Sequence, residues 1–314
     1  MIAIFTVVTY IQQQQIAECH RQQEQQAANE TRQKDLQIAF ANLEIANQTR
    51  IQDQQIINKT RIHDRQIAEE QRLEDKQRQN DLHYQKLYAY YIEDISNVLY
   101  KQNQNQSFID ERKKLLYIRR KTIMTLRKIN NERRTHLFIF LYENNLLPRF
   151  NDNSTLDLSG SDLNHIHIES SVTIRYTFRK LVLESVNLVS ASFIDCRFSD
   201  SVDFTGSAMS NVNFTGSRFE CTTADTLSIF DQTKLEHVDF NKTNISHIKF
   251  NDATLSYARF SHSTLSNFHI VSVNLVNTSF INCTFSDGSQ FVGSLMTNVN
   301  FTGSSFQYGS TGCH

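Results

Sequence analysis

The sequence contains little glycine and proline and no tryptophan. Its 314 residues include eight glycines and one proline, whereas average proteins have roughly 7% glycine and 5% proline. No glycine or proline precedes Pro148, and all eight glycines follow it. Glycine and proline are the strongest local breaks in regular structure. Their distribution therefore predicts two different structures that meet near Pro148: uninterrupted helix before it and a turn-rich structure after it.

Motifs that carry chemistry are also missing. The sequence has no G-x-S-x-G elbow, no phosphate-binding glycine loop and no H-E-x-x-H pair. Its five cysteines include no C-x-x-C pair, which argues against a disulfide framework or a zinc site. His165 and His167 form a pair without an evident third ligand. We therefore expect no catalytic residue, no metal and no cofactor, and we do not expect an enzyme.

The charge is balanced overall but unevenly distributed. The chain has 32 basic and 33 acidic residues. From residue 151 onward there are 15 acidic and 9 basic residues, which leaves 18 acidic and 23 basic before it. This balance does not indicate a nucleic-acid binder. Between Phe108 and His136, ten residues are basic and three acidic. That stretch is either a patch for anionic lipid or nucleic acid or, as the simpler interpretation, a solvated helix face.

The first eleven residues, MIAIFTVVTYI, carry no charge. A membrane-spanning helix needs roughly 20 apolar residues, so residues 1–11 are too short to span a membrane by themselves. Two interpretations remain open: the second half of a transmembrane helix that starts outside this chain, or a short apolar helix tip. Residues 1–11 are thus a candidate membrane anchor, and the localisation stays open between membrane-associated and cytoplasmic.

Residues 12–81 are predicted to form one long polar helix. The segments 45–55, 56–66 and 67–77 align with a period of eleven residues. Eleven residues make three helical turns at 3.67 residues per turn, close to the natural period of the helix. The apolar positions of the repeat point in three separate directions, so they do not form a single seam. A solvated rod is the main interpretation, with weak helical self-association and disorder as alternatives.

Residues 82–148 are predicted to form a helical cap region. Leu87, Tyr91, Ile95 and Val98 recur at helical spacing. After a polar interruption at Lys101–Gln106, the apolar residues up to Leu147 suffice for one or two further helices that must pack against something. The last of them ends before Pro148, since the residue preceding a proline is displaced from the helical region.

The second half has a different period, in which a large apolar residue recurs every five residues. Neither a helix nor a strand has a period of five. A solenoid does if each five-residue unit forms one side of a coil and the coils bury a core by stacking. Smaller residues two positions earlier, such as Cys196, would also point inward. The predicted structural core is Phe193, Phe198, Phe204, Met209, Phe214, Phe219, Phe230, Leu235, Phe240, Ile245, Phe250, Leu255, Phe260, Leu265, Phe280, Phe285, Phe291, Met296, Phe301 and Phe306.

These units resemble the pentapeptide-repeat family, in which a small and a polar residue precede Leu or Phe. DLSGSDL at 157–163 and VNFTGS at 212–217 are typical. The resemblance implies a right-handed quadrilateral β-helix of seven or eight coils over residues 154–308. With the preceding helices, the expected fold class is α plus β-solenoid. The helical region before the repeats also looks like that of membrane-tethered family members.

A longer self-similarity overlies the period of five. Residues 193–220 match residues 280–307 at 18 of 28 positions with an offset of 87. Once two single-residue insertions are removed, 85 residues remain, which predicts that the copies lie four coils plus one side apart and face different directions. The insertions after Phe198 and Phe285 are predicted to be bulges, and CTTADTLSI at 221–229 is predicted to loop outward.

Two functions are consistent with these features. The first is a non-catalytic structural or protein-interaction scaffold on a helical stalk, whose protein partner the sequence does not identify. The second follows from the family resemblance: some pentapeptide-repeat proteins mimic DNA and bind topoisomerases. An unbroken acidic stripe on one face of the solenoid would favour the second function, and the net charge of −6 after residue 150 is weak support for it.

Overall fold

The structure is a computed structural model that describes residues 2–100, 111–150, 152, 155–221, 227–286 and 288–307, with side chains from residue 9 onward. The chain forms two compact units, Met1–Arg78 and Gln79–His314. Three helices precede the strands: α1 (Ile2–Tyr100), α2 (Glu111–Leu126) and α3 (Asn131–Glu143). Helix α1 contributes residues to both units and has no break at the predicted boundary between residues 81 and 82. The predicted interruption at Lys101–Gln106 lies outside the described residues.

The described residues of the first unit all belong to α1. Every side chain from Thr9 to Arg78 is exposed, including the repeated Ile45, Ile56 and Ile67. The residues follow a helix with polar side chains nearly all round, as the eleven-residue repeat predicts. Among the described helices, none contains a segment that is apolar over the length needed to cross a membrane. Residue 1 and the side chains of residues 2–8 of the candidate anchor lie outside the described part of the chain.

In the second unit, the end of α1 packs with α2 and α3. Tyr91 and Ile95 of α1, Ile118 of α2 and Leu137 of α3 are all buried. The hydroxyl groups of Tyr91 and Thr122 are hydrogen-bonded at 2.7 Å in this interior. Asn130 caps α3 by accepting a hydrogen bond from the backbone N–H of Arg133. The interior of the three helices is continuous with the core of the structure that follows them.

Thirteen short parallel strands follow within the described part of the chain. Their bounds are β1 (His167–Glu169), β2 (Thr177–Arg179), β3 (Ser192–Ile194), β4 (Arg197–Ser199), β5 (Arg218–Glu220), β6 (Ser228–Ile229), β7 (Asn244–Asn251), β8 (Arg259–Ser261), β9 (Thr264–Val271), β10 (Ser279–Ile281), β11 (Thr284–Ser286), β12 (Gln290–Val292) and β13 (Ser305–Phe306). The largest sheet has the order β13-β11-β9-β7-β5-β4-β2, with β12 also on β9 and β6 on β7. Each strand pairs with one a coil away, which defines a parallel β-solenoid.

The solenoid has four sides, and each side contributes one large central residue per level. Four stacks result, which define sides 1 to 4. Side 1 contains Leu158, Leu183, Phe204, Phe230, Phe250, Ile270 and Phe291; side 2 contains Leu163, Leu188, Met209, Leu235, Leu255, Leu275 and Met296; side 3 contains Ile168, Phe193, Phe214, Phe240, Phe260, Phe280 and Phe301; side 4 contains Phe178, Phe198, Phe219, Ile245, Leu265, Phe285 and Phe306.

We number the levels 1 to 7, and each level begins at its side 1 residue. Six complete turns run from Leu158 to Phe291, and three further sides end at Phe306. These seven levels agree with the lower of the two predicted numbers of coils. The prediction of up to eight coils assigned every residue to a side. Ten residues separate Ile168 from Phe178 in level 1, however, and eleven separate Phe219 in level 3 from Phe230 in level 4.

The predicted relation between the two copies, four coils plus one side, is wrong, because the step from Phe219 to Phe230 is longer than five residues. Phe193 and Phe280 both belong to side 3, at levels 2 and 6. The copies therefore lie four full levels apart and face the same directions, without the predicted extra side. Phe219 lies on side 4 of level 3 and Phe230 on side 1 of level 4, so the chain advances by one side between them. Residues 222–226 of the predicted outward loop lie outside the described part of the chain.

The corners of the solenoid need left-handed backbone. The residue two positions after a central residue has a positive φ in nearly every unit, as at Lys180 (51°), His237 (57°) and Tyr257 (60°). Glycine adopts this conformation freely and L-residues do so at a cost. The single-residue insertion after Phe198 is absorbed by two successive left-handed residues, Asp200 and Ser201. At the second insertion Gly288 is left-handed as well (78°), and residue 287 lies outside the described residues.

The two ends of the solenoid differ. At the N-terminal end, Phe138 of α3 packs on Phe178 and Phe193, with ring centroids 6.0 and 6.3 Å away. At level 7, Met296 and Phe306 are 39% and 50% exposed, although both were predicted to be core residues. Their side chains are exposed because nothing among the described residues stacks on level 7.

Candidate interaction surface

The described interior of the solenoid is filled with closely packed side chains. The predicted core residues from Phe193 to Phe285 are all at most 1% exposed, and Phe291 and Phe301 are half-buried. On side 3, ring centroids follow each other at 5.7, 5.1, 4.7 and 4.8 Å from Phe193 to Phe280. Any recognition by this domain must therefore use its outer surface.

The two buried cysteines belong to this interior as well. Cys196 and Cys283 occupy the small inward position and are each 1% exposed. Burial raises the pKa of the Cys196 thiol to about 12 and raises that of Cys283 too. Since the thiolate is the reactive form, both thiols are unsuited to nucleophilic chemistry. Of the two histidines considered earlier, His165 lies at a corner, and His167 Nε2 lies 3.4 Å from Glu169 Oε2.

Because the two copies face the same directions, their outer surfaces can be compared position by position. Five charged residues of the first copy (193–220) have uncharged counterparts in the second copy (280–307). The pairs are Asp195 and Asn282, Arg197 and Thr284, Asp203 and Gln290, Arg218 and Ser305, and Glu220 and Gln307. The inward-facing residues of the two copies are largely identical. The charge at levels 2 and 3 is therefore not required by the backbone that carries it.

Three of these charged residues, Arg197, Arg218 and Glu220, lie on side 4, where they form a patch of mixed charge with Arg179 and Asp200. Arg179 Nε lies 2.6 Å from Asp200 Oδ2, and Arg197 Nη2 lies 2.5 Å from Glu220 Oε2. Arg197 and Arg218 are direct partners on adjacent strands. Like charges in such a position destabilise a sheet. The ion pairs of Arg179 with Asp200 and of Arg197 with Glu220 offset this repulsion, and no sequence motif indicated the patch.

Side 1 carries a row of carboxylates. Asp157, Glu184, Asp203, Asp231 and Asp252 place one acidic residue at each of levels 1 to 5. The pKa of Glu184 is raised, first by its partial burial and then by the neighbouring Asp203 and Asp157. Two members of the row are neutralised: Asp157 lies 3.1 Å from Arg119, and Asp231 lies 3.1 Å from Lys249. The row ends at Asp252.

Comparison with known families identifies this architecture. The pentapeptide-repeat family model, described as pentapeptide repeats, matches eight copies over residues 178–220, 228–267 and 249–287. These are the segments whose central residues form the four stacks. The matched segments, 178–220 and 228–287, consist of pentapeptide repeats. Residues 155–307 are accordingly called its pentapeptide-repeat domain.

Solved structures of pentapeptide-repeat proteins are similar at low identity. The full-length plasmid-mediated fluoroquinolone resistance protein QnrB1 is 15% identical over 48% of this chain and 80% of its own, with a TM-score of 0.27. Rfr23 from the cyanobacterium Cyanothece 51142 is 11% identical over 46% and 87%, with a TM-score of 0.17. HetL from Nostoc sp. strain PCC 7120, involved in heterocyst differentiation regulation, is 12% identical over 47% and 83%, with a TM-score of 0.16. No curated protein matches the chain.

The C-terminal part of the pentapeptide-repeat domain is nearly uncharged. After Asp252, the sequence contains only two charged side chains, Arg259 and Asp287. Arg259 is paired with Asp239 at 3.0 Å. The outward positions of levels 6 and 7 carry mainly Asn, Ser and Thr, and Thr302 donates a hydrogen bond to Asn300. Apart from Asp287, which lies outside the described residues, the charged side chains of the domain therefore belong to levels 1 to 5.

Arginines of the helices attach them to the first level of the pentapeptide-repeat domain. Arg119 of α2 donates hydrogen bonds to the carbonyl groups of Asp157 at 2.8 Å and Ser159 at 3.2 Å. Arg134 of α3 lies 3.0 Å from Asp162 and donates to the carbonyl group of Leu126 at 2.9 Å. Part of the basic cluster predicted between Phe108 and His136 is therefore structural, since it holds the cap on the solenoid.

A cleft of about 670 Å³ lies beside this junction, between the end of α3 and β2. Arg149, Arg179 and Lys180 line it together with Glu143 and Asp152. Arg179 is engaged by Asp200, and Arg149 donates to Asn145 Oδ1 at 2.8 Å. Because the lining charges nearly balance, the cleft offers no excess of positive or negative charge to a small ligand.

Proposed function

We propose that this chain is a non-catalytic scaffold whose pentapeptide-repeat domain binds a protein partner through its charged outer surface at levels 2 and 3. The observation that supports the proposal is the difference between the two copies. They share a backbone and an interior, yet only the first copy presents Asp195, Arg197, Arg218 and Glu220 at its exterior. Mixed charges of this kind suit specific protein recognition, because they favour one register over others.

The helix of the first unit would serve as a spacer in this scaffold. Its side chains are exposed throughout, and at 1.5 Å per residue about 77 helical residues span roughly 115 Å. A polar helix of this kind separates two attachment points without needing a partner for folding. The partner that it would separate from the pentapeptide-repeat domain is left open.

The matched copies provide the experiment. The exchange variant carries Asp195→Asn, Arg197→Thr, Asp203→Gln, Arg218→Ser and Glu220→Gln, so that the first copy presents the second copy's residues. We expect proteins that the immobilised full chain captures from a host extract to be retained at least tenfold less by this variant. The interacting protein, once purified, should show the same loss in direct titration.

A composition-matched control separates surface from net charge. It combines the exchange variant with Asn282→Asp, Thr284→Arg, Gln290→Asp, Ser305→Arg and Gln307→Glu, which moves the five charges four levels along the same sides. Retention of the partner by the exchange variant would refute the proposed surface. If the control retains as much of the partner as the unaltered chain does, the partner recognises these charges on the same sides at either set of levels.

The second candidate function is mimicry of DNA toward a topoisomerase, and the acidic row on side 1 is the observation in its favour. Adjacent strands lie about 4.8 Å apart, so five carboxylates extend over about 19 Å. Duplex DNA carries one charge per about 1.7 Å, roughly three times this density before Arg119 and Lys249 are considered. Inhibition of a DNA-supercoiling topoisomerase by the chain, lost in Glu184→Gln with Asp252→Asn, would favour this second function over the first.

A further inference from the structure

A separate surface lies on α2 and the turn that follows it. From Arg112 to Lys128 the sequence has eight basic residues and no acidic one. Three of them are held by acidic partners: Lys114 by Glu111, Arg119 by Asp157 and Lys121 by Asp94. Lys113, Arg120, Arg127 and Lys128 are exposed and have no hydrogen-bond or ion-pair partner for their side chains within the described part of the chain.

Large apolar side chains lie on the same face. Leu116, Tyr117 and Met124 are 57%, 40% and 46% exposed. Positions 113, 116, 117, 120, 124 and 127 follow one another at helical intervals, so that they share one side of the helix. The exposed face of α2 therefore alternates cationic and apolar side chains, and its buried face, which includes Ile118 and Thr122, packs inward.

The surface continues onto α1. A groove of about 390 Å³ separates α1 from α2, and Leu87, Tyr90, Met124 and Lys128 are among the residues that line it. Tyr90 is 68% exposed. We call the combined surface of Lys113, Leu116, Tyr117, Arg120, Met124, Arg127, Lys128 and Tyr90 the α2 face.

We propose that the α2 face binds the surface of a bilayer that contains anionic lipid. Clusters of four to eight Lys and Arg residues on an amphipathic helix are typical of binding to anionic lipid, with an attraction that grows with each cation. Leu and aromatic side chains beside them enter the boundary between headgroups and acyl chains. Both kinds of side chain on the α2 face thus find complementary groups in one partner.

Geometry favours a bilayer over the other anionic partners. Lys113 and Arg127 are fourteen positions apart, about 21 Å along a helix, a row that a plane of phosphates can contact at once. Lys113, Leu116 and Arg120 do not line the groove, so an acidic peptide seated there would leave them unused. A nucleic acid would engage the cations but would leave Leu116 and Met124 exposed to water.

The test is co-sedimentation of the full chain with vesicles of phosphatidylcholine alone or with about 30% phosphatidylserine. We expect the full chain to bind the anionic vesicles at least tenfold more strongly, and 0.5 M salt to remove most of that difference. The combined variant Lys113→Gln, Arg120→Gln, Arg127→Gln and Lys128→Gln should lose at least tenfold of its affinity for anionic vesicles. Leu116→Ser with Met124→Ser should weaken binding severalfold at constant charge.

The matched control removes four exposed cations from the first unit: Arg50→Gln, Lys59→Gln, Arg61→Gln and Arg65→Gln. It changes the net charge equally and should keep the affinity of the unaltered chain. Residues 1–11 are present in every variant, so any binding through them adds equally to neutral and anionic vesicles. Equal binding to both vesicles, an equal loss in the control, or binding of RNA or polyglutamate without binding of vesicles would each overturn the proposal.

Discussion

Phe193 and Phe280 lie in one stack of aromatic rings, on the same side of the solenoid and four levels apart. Phe214, Phe240 and Phe260 fill the levels between them, and neighbouring rings are nearly parallel, with interplanar angles of 11° to 16°. Equivalent residues of the two copies thus have similar neighbours but lie at different distances from the C-terminal end of the solenoid. An interior substitution within residues 193–220 therefore has a natural control four levels away.

Phe240→Ala should destabilise the pentapeptide-repeat domain by about 3–5 kcal/mol, the usual cost of removing a buried phenyl ring. The ring of Phe240 is fully buried and lies between Phe214 and Phe260, at 5.1 and 4.7 Å. Phe306→Ala at the exposed end should cost less than about 1 kcal/mol. Differential scanning calorimetry suits the comparison because α1 dominates far-ultraviolet dichroism. Similar losses in the two variants would contradict the assigned difference in burial.

Ser217→Ala should cost about 1–3 kcal/mol, because the fully buried Ser217 hydroxyl connects two levels. Its oxygen accepts from the backbone N–H of Cys196 at 3.0 Å, and the hydroxyl donates to the carbonyl group of Phe193 at 2.7 Å. Alanine leaves both buried groups without a partner. Ser304 makes the same two bonds to Cys283 and Phe280 at the half-buried level 7.

Ser304→Ala should therefore lose less stability, because water can replace the hydroxyl there. Pulse proteolysis in urea measures both variants on the full chain. If Ser304→Ala were the more damaging of the two, the inter-level role of these serines would have to be abandoned.

The stacks of the solenoid could be predicted from the sequence because large apolar residues recur at a fixed interval. Phe268 was missed, since it is a large residue at the inward position that elsewhere is small, yet it is fully buried. Glycine occupies only some of the corners. Lys180, His237 and Tyr257 take the same left-handed conformation, and no shared side-chain chemistry marks them.

The candidate surfaces were less predictable. The relative orientation of the two copies depends on how many residues between Phe219 and Phe230 are additional to the five-residue units. The period of five does not specify that number. The basic cluster between Phe108 and His136 was recognised as a whole, but its division depends on three-dimensional contacts. Arg119 and Arg134 bind backbone carbonyl groups of partners eight to forty residues away, and no local pattern indicates such contacts.

Thiol reactivity should separate the cysteines. With the pKa of Cys196 raised to about 12 by burial, only about one part in ten thousand of this thiol is ionised at pH 8, and the thiolate is the attacking form. Cys19 is exposed and should react with iodoacetamide within minutes in the folded chain. Cys196 and Cys283 should react only on unfolding in urea. Mass spectrometry of tryptic peptides reports each site, and early labelling of Cys196 would contradict its place in the core.

The stability of Glu184→Gln should depend on pH in a defined direction. Partial burial, then Asp203 and Asp157, raise the pKa of Glu184 in the folded chain, so folding favours its protonated form. The resulting stabilisation is present below the unfolded pKa of about 4.3 and is lost as the pH rises through the folded value. Glutamine has no such charge, so Glu184→Gln should be more stable than the unaltered chain at pH 7 and similar to it at pH 4. Glu236→Gln, at an exposed position on side 2, is the matched control. Urea midpoints at the two pH values measure the effect, and a gain at pH 4 that disappears at pH 7 would show that the carboxylates of side 1 do not repel one another.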